Sequence, residues 1–82
     1  MKRSRHIIIL QILSICESCA TKTRIVYQAN LNFKTVNPYI NLLMKRGLIT
    51  ANRGSPNLYE TTDRGKDLLR SLKQIHSELA EA

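Results

Sequence analysis

Residues 21–47 read TKTRIVYQANLNFKTVNPYINLLMKRG. Two helical stretches meet at Ala29-Asn30-Leu31-Asn32, where Asn30 suits the left-handed conformation that ends one helix and Asn32 suits the cap of the next. In the second stretch Val36, Ile40, Leu43, Met44 and Gly47 recur at helical spacing, which turns one apolar stripe toward a core. The opposite stripe carries Lys34, Asn37, Asn41 and Lys45, with Thr35 and Arg46 on its borders. Long cations reach phosphates and side-chain amides pair with base edges, so this mixture suits a helix lying in a major groove. The pattern is a helix-turn-helix.

The charges are placed to match. The 82 residues carry a formal charge of +7, and the pI is near 9.9. Residues 1–59 hold nine lysines and arginines against one acid, Glu17, whereas residues 60–82 hold four against five. The positive field therefore belongs to the helix-turn-helix part, and the tail reads as a neutral, self-paired segment. Such an asymmetry favours an anionic partner. A chain this short buries a marginal core unless a partner subunit covers part of it, so oligomerisation is expected.

Ahead of this stretch, MKRSRH followed by IIILQILSIC resembles a secretory signal, and Leu13-Ser14-Ile15-Cys16 resembles a lipoprotein cleavage site. Gln11 interrupts the apolar run, Glu17 follows it at once, and the run falls short of the roughly twenty residues that cross a bilayer. The expectation is instead a helix over residues 5–17, capped by Ser4, with Ile8, Ile9, Ile12, Leu13 and Cys16 as its core face. Ile7, Leu10 and Ile15 lie outside that face; either this helix also meets a second subunit, or Ile7 and Leu10 pack beneath the last helix. Cys16 and Cys19 form an isolated CxxC with His6 and His76 remote, short of the four ligands of a structural zinc site. The pair closes an apolar helix where a redox CxxC would follow a strand, so both read as core or loop thiols in a reducing cytoplasm.

Residues 18–20 are a connection, and Thr21 or Thr23 caps the next helix, which runs to Ala29 with Ile25 and Ala29 inward beside Leu31. Lys22 and Arg24 at its start are placed as phosphate contacts, with backbone amides adding to the grip; the bland reading is a solvated face. Pro38 admits two outcomes. Either the third helix begins near Asn32 and kinks at Pro38, or Asn37 caps a shorter helix over residues 38–46. The first is preferred, because it puts Phe33, Val36 and Ile40 on one apolar face. After the stop at Gly47, residues 48–51 read as a strand, 52–57 as a turn and 58–61 as the returning strand, with Arg53 at the hairpin tip. Thr62 then caps a helix from Asp63 to about residue 80, with an acid at its start and a small Gly65 for close packing. Leu68, Leu72, Ile75 and Leu79 follow 4-3-4 spacing, which serves either a coiled coil between chains or a helix lying on its own domain. Leu69 widens this face, and His76 flanks it as a boundary residue.

Three helices, a basic-tipped hairpin and a closing helix make a mainly α chain with a small β-hairpin, in the order of a winged helix-turn-helix. The whole of residues 1–82 is expected to form one such domain, with residues 62–80 as its packing or dimerisation helix. At the residue level the chain resembles the archaeal family of small winged-helix predicted transcriptional regulators, which includes dimeric chromatin-type DNA-binding proteins. The resemblance rests on Lys22-Thr23-Arg24-Ile25-Val26-Tyr27-Gln28-Ala29-Asn30-Leu31, on Tyr39-Ile40-Asn41-Leu42-Leu43 leading to Gly47-Leu48-Ile49, and on Tyr59-Glu60-Thr61-Thr62-Asp63-Arg64-Gly65. It implies homodimerisation through the last helix as an antiparallel coiled coil, sequence-tolerant or operator-type DNA binding, and no cofactor.

The functional expectation is a double-stranded DNA-binding protein of the cytoplasm and nucleoid, acting in transcription or chromatin. Its third helix would enter the major groove, and its wing would lie on the backbone or in the minor groove. The DNA contacts would be Lys22, Arg24, Lys34, Thr35, Asn37, Asn41, Lys45 and Arg53; the dimer contacts would be Leu68, Leu72, Ile75 and Leu79. The alternative is a winged-helix module that binds protein, its basic stripe meeting an acidic partner. Paired carboxylates, a nucleophile with a base, a glycine-rich phosphate loop and a metal set are all missing, so no enzyme, small-molecule substrate, metal or membrane partner is expected.

Overall fold

The structure is a computed structural model describing residues 4–55 and 57–81, with side chains as far as residue 78. Its elements are α1 (Arg5–Cys16), β1 (Ala20–Thr21), α2 (Lys22–Ala29), α3 (Phe33–Lys45), β2 (Ile49–Ala51), β3 (Leu58–Thr61) and α4 (Asp63–Glu81).

All four helices begin the same way. The side-chain oxygens of Ser4, Thr21, Asn32 and Thr62 accept the amides of Ile7, Arg24, Thr35 and Gly65 at 3.2, 3.1, 2.8 and 3.0 Å. Each bond satisfies one of the amides that the first turn leaves unpaired. Two helices also end alike. Asn30, at φ 55°, closes α2 with Leu31 N–H on the Val26 carbonyl and its own N–H on Tyr27. Gly47, at φ 73°, closes α3 through Leu48 N–H on Leu43 and its own N–H on Met44. This double return, made around a left-handed residue, turns the chain sharply and sets the angle between α2 and α3.

The core is built on α1. Ile8, Ile12, Leu13 and Cys16 are buried against Ile25 of α2, Val36, Ile40 and Leu43 of α3, Ile49 of β2 and Leu69 of α4. Ile9, Leu10 and Ile15 are half-buried around this cluster, so α1 is apolar on nearly every side. Helix α3 runs unbroken through Pro38, which rules out the shorter helix capped by Asn37.

Several expectations are corrected. The hairpin is part of a three-stranded antiparallel sheet in the order β1-β3-β2, because Ala20 and Thr21, read as connection, pair with Tyr59 and Leu58. On the other edge Ile49, Thr50 and Ala51 face Thr61, Glu60 and Tyr59, and β2 starts one residue later than expected. Phe33 is 47% exposed and Met44 40%, so the apolar stripe of α3 narrows to Val36, Ile40 and Leu43. In α4 the anchor is Leu69, fully inside, while Leu68 and Leu72 are half-buried and Ile75 is 53% exposed. The side chain of Leu79 lies outside the described residues. Of the pairing expected in the tail, Asp67 and Arg70 form an exposed contact at 4.0 Å.

Gly65 fixes where α4 meets the rest. A Cβ there would run into the Leu48 carbonyl and would stand 2.7 Å from Thr61 Cγ2. Thr62 completes the corner by donating its hydroxyl to Gly47 O at 2.7 Å and its N–H to Leu48 O at 3.0 Å.

Candidate nucleic-acid interface

The outer face of α3 follows from its inner one. With Val36, Ile40 and Leu43 buried, the 3.6-residue period turns Lys34, Asn41 and Lys45 to solvent, and all three are exposed. Pro38 shares that face and is exposed with them. Asn37 does not join them fully. It lies on the border, half-buried, and its Oδ1 is covered without a hydrogen-bond partner, so its amide must swing outward before it can touch a base. Thr35 is half-buried on the other border, and Arg46 is exposed.

Helix α2 brings a second group of cations. Arg24 is exposed and Lys22 half-buried. Lys22 lines an open cleft with Thr23, Phe33, Asn57 and Tyr59, which joins the start of α2, the start of α3 and the base of the hairpin. Neither α2 nor α3 has an acid in its first turn, whereas α4 opens with Asp63. Helix starts carry partial positive charge, and those of α2 and α3 add the side chains of Lys22, Arg24 and Lys34 to it.

The hairpin tip carries Arg53, exposed, between Asn52 and Gly54. Asn52 N–H bonds Leu58 O at 2.8 Å and Leu58 N–H bonds Ser55 O at 2.8 Å, which closes the turn over the strand ends.

The residues expected to contact DNA thus fall on three neighbouring elements, and sequence reasoning missed their most exposed apolar members. Spacing points Phe33 inward, one turn from Val36 and two from Ile40. As the first residue after the Asn32 cap, however, it precedes the packed part of the helix. Asn57 and Tyr59 carry no local pattern that would bring them to the cleft. Tyr27, 79% exposed on the outer side of α2, falls on the polar side of that helix, where periodicity does offer a signal.

The thiols sit apart from this surface in character. Burial, with Cys19 nearby, pushes the Cys16 thiol up to about 12. Burial and the Glu60 carboxylate raise that of Cys19, against the opposing pull of the Asn52 amide. Among the described residues no three His, Cys, Asp or Glu side chains gather as a metal set, and no helix is long and apolar enough to cross a membrane.

The sequence model of the winged helix-turn-helix family matches residues 2–80. The chain belongs to the winged helix-turn-helix family. Within it, α2 and α3 are the helix-turn-helix pair and β2–β3 is the wing. The uncharacterized protein MJ0287 of Methanocaldococcus jannaschii is 39% identical over 75 residues, covering 90% of this winged-helix chain and 74% of its own length. A second protein of that organism, MJ0290, is 33% identical over 76 residues, and there the match spans 92% of this chain but 35% of the relative. Among solved structures, Sso10a-2, a DNA-binding protein from Sulfolobus solfataricus, superposes with a TM-score of 0.87 at 26% identity, covering 96% of this chain and 84% of that one.

Proposed function

We propose that this winged helix-turn-helix chain binds double-stranded DNA as a transcriptional regulator or chromatin-associated protein of the cytoplasmic nucleoid. Helix α3 enters the major groove, Lys22 and Arg24 hold the flanking backbone, and the wing lays Arg53 on the backbone or in the minor groove. The observation that carries this reading is the joint exposure of Lys34, Asn41 and Lys45 on the side of α3 opposite its buried residues. A DNA-binding protein of the same fold supports it. Catalysis, cofactor and small-molecule substrate form no part of the proposal. The active species is a homodimer joined through α4, with Leu68, Leu72, Ile75 and Leu79 as the seam residues.

An electrophoretic shift of duplex DNA at two salt concentrations tests the surface. The wild-type chain shifts the duplex, with log affinity falling linearly in log salt. Replacing Lys34, Lys45 and Arg53 together by alanine flattens that slope by about 0.9 for each lost phosphate contact, or roughly three units for each protomer on the duplex. Equal shifts by the two proteins would show that the surface is wrongly assigned.

A second reading has its own observation. Tyr27 is the most exposed large apolar side chain of the helix-turn-helix pair, and such aromatics are favoured where proteins meet proteins. In that reading the basic face meets an acidic protein. A stoichiometric protein partner on purification, with no duplex affinity at moderate salt, would favour it.

A further inference from the structure

We propose that Asn52 is the positioning residue of the wing, a bracket that fixes the tip carrying Arg53 before DNA arrives; the proposal rests on the DNA-binding reading above. The Asn52 side chain uses both its ends. Its Oδ1 accepts the amides of Gly54 at 2.9 Å and Ser55 at 3.2 Å, which folds the tip back over its own strand. Its Nδ2 donates to Glu60 Oε2 at 3.3 Å and approaches Cys19 Sγ at 3.8 Å. An asparagine amide offers two acceptor sites and two donors, and all four are engaged within the protein. Asn52 therefore has nothing left for DNA and acts through its neighbour.

The anchor of the bracket spans the sheet. Glu60 lies on the central strand β3, and it also accepts the Cys19 thiol proton at 3.5 Å. Cys19 precedes β1 at φ 63°, a left-handed conformation uncommon outside glycine, asparagine and aspartate. An acid near a surface meant for phosphate weakens attraction, so the place of Glu60 needs another reason. Receiving the Asn52 amide and the Cys19 thiol supplies one. A tip ordered in the free protein also forgoes the ordering cost that a loose loop would meet on binding.

Salt slopes on duplex DNA test the bracket. Arg53→Ala should lower the slope by about one unit for each protomer on the duplex, Asn52→Ala by the same amount, and the double variant by no more than Arg53→Ala alone. Asn52→Asp sets a second carboxylate beside Glu60 and should also lower the slope. Asn52→Asp with Glu60→Gln reverses donor and acceptor at unchanged net charge, and should restore the wild-type slope. A wild-type slope in Asn52→Ala, losses that add in the double variant, or no rescue by the exchanged pair each overturns the proposal. If the wild-type chain fails to bind duplex, the DNA-binding reading fails instead. The bracket is then judged on hydrogen exchange of the free protein, where Asn52→Ala should remove protection at the Gly54 and Ser55 amides, and unchanged exchange overturns it.

Discussion

Thr61 is the buried polar side chain among the described residues, at 2% exposure, and its hydroxyl completes a helix end that the backbone leaves open. Glu17 N–H turns to the Ser14 carbonyl at 3.3 Å, one residue short of regular α-helical bonding, so the Leu13 carbonyl loses its expected backbone donor. Thr61 Oγ1 donates to that oxygen at 2.7 Å, tying β3 to the end of α1 across 48 positions of sequence. Thr61→Val keeps the shape and removes the donor, leaving a buried carbonyl unsatisfied at a cost of about 1–3 kcal/mol. At roughly 4–8 °C per kcal/mol for a domain of this size, a thermal melt should show a clear drop. Thr61→Ser, which keeps the hydroxyl, should lose less; equal losses in the two variants would mean that the bond contributes nothing. Nothing around position 61 in the sequence marks this role, because its partner lies in another element. The caps are the opposite case. Ser4, Asn32 and Thr62 each meet the amide three residues ahead, a local rule that sequence alone can apply.

The same division holds for whole elements. All four helices were legible, because twelve to nineteen residues of α1, α3 and α4 repeat their pattern several times and the shorter α2 has a clear stop. Strand β1 was not, since two residues contain no period and only pairing with β3 makes them a strand. The basic side of α3 was legible in Lys34, Asn41 and Lys45. Its borders were not, because Phe33 and Asn37 depend on how the first turn seats against the cleft and the core. Pro38 remains the unusual residue of this element. It stands six positions into α3, beyond the first turn, so the Lys34 carbonyl has no amide four residues ahead to accept. Pro38 is exposed, and replacing it costs little packing. Pro38→Ala should therefore stabilise the chain by up to about 3 kcal/mol, the interior penalty of proline in a helix. The gain is reduced by roughly 0.4–1 kcal/mol, because the unfolded chain becomes freer. A thermal melt that rises supports this account of α3; one that falls would mean that the proline ring itself is needed where it stands.

At the scale of the molecule, charge divides along the chain: the elements from α2 to the wing are cation-rich, while α4 is near-balanced. From Lys73 to Glu78 every side chain of α4 is exposed, although Leu68 and Leu72 are held half-buried. Ile75 and His76 then border an apolar groove with His6, Ile7 and Leu10 of α1. A second copy of the chain laid along this groove would cover Ile75 and lengthen the 4-3-4 seam, adding to a core that is small for one chain. Leu72→Asp would test that badly, since Leu72 also packs on its own core. Ile75→Asp is the cleaner change, because in one protomer the side chain is already 53% exposed and tolerates water. Sedimentation should give about twice the chain mass of 9.4 kDa for the wild type and the single mass for Ile75→Asp. The wild-type melting temperature should also rise with protein concentration, as linkage requires when only the folded chain associates, and the variant's should not. A wild-type chain that sediments as a monomer at tens of micromolar would remove the dimer and leave the groove as plain surface, with DNA binding by α3 and the wing still to be judged on its own test.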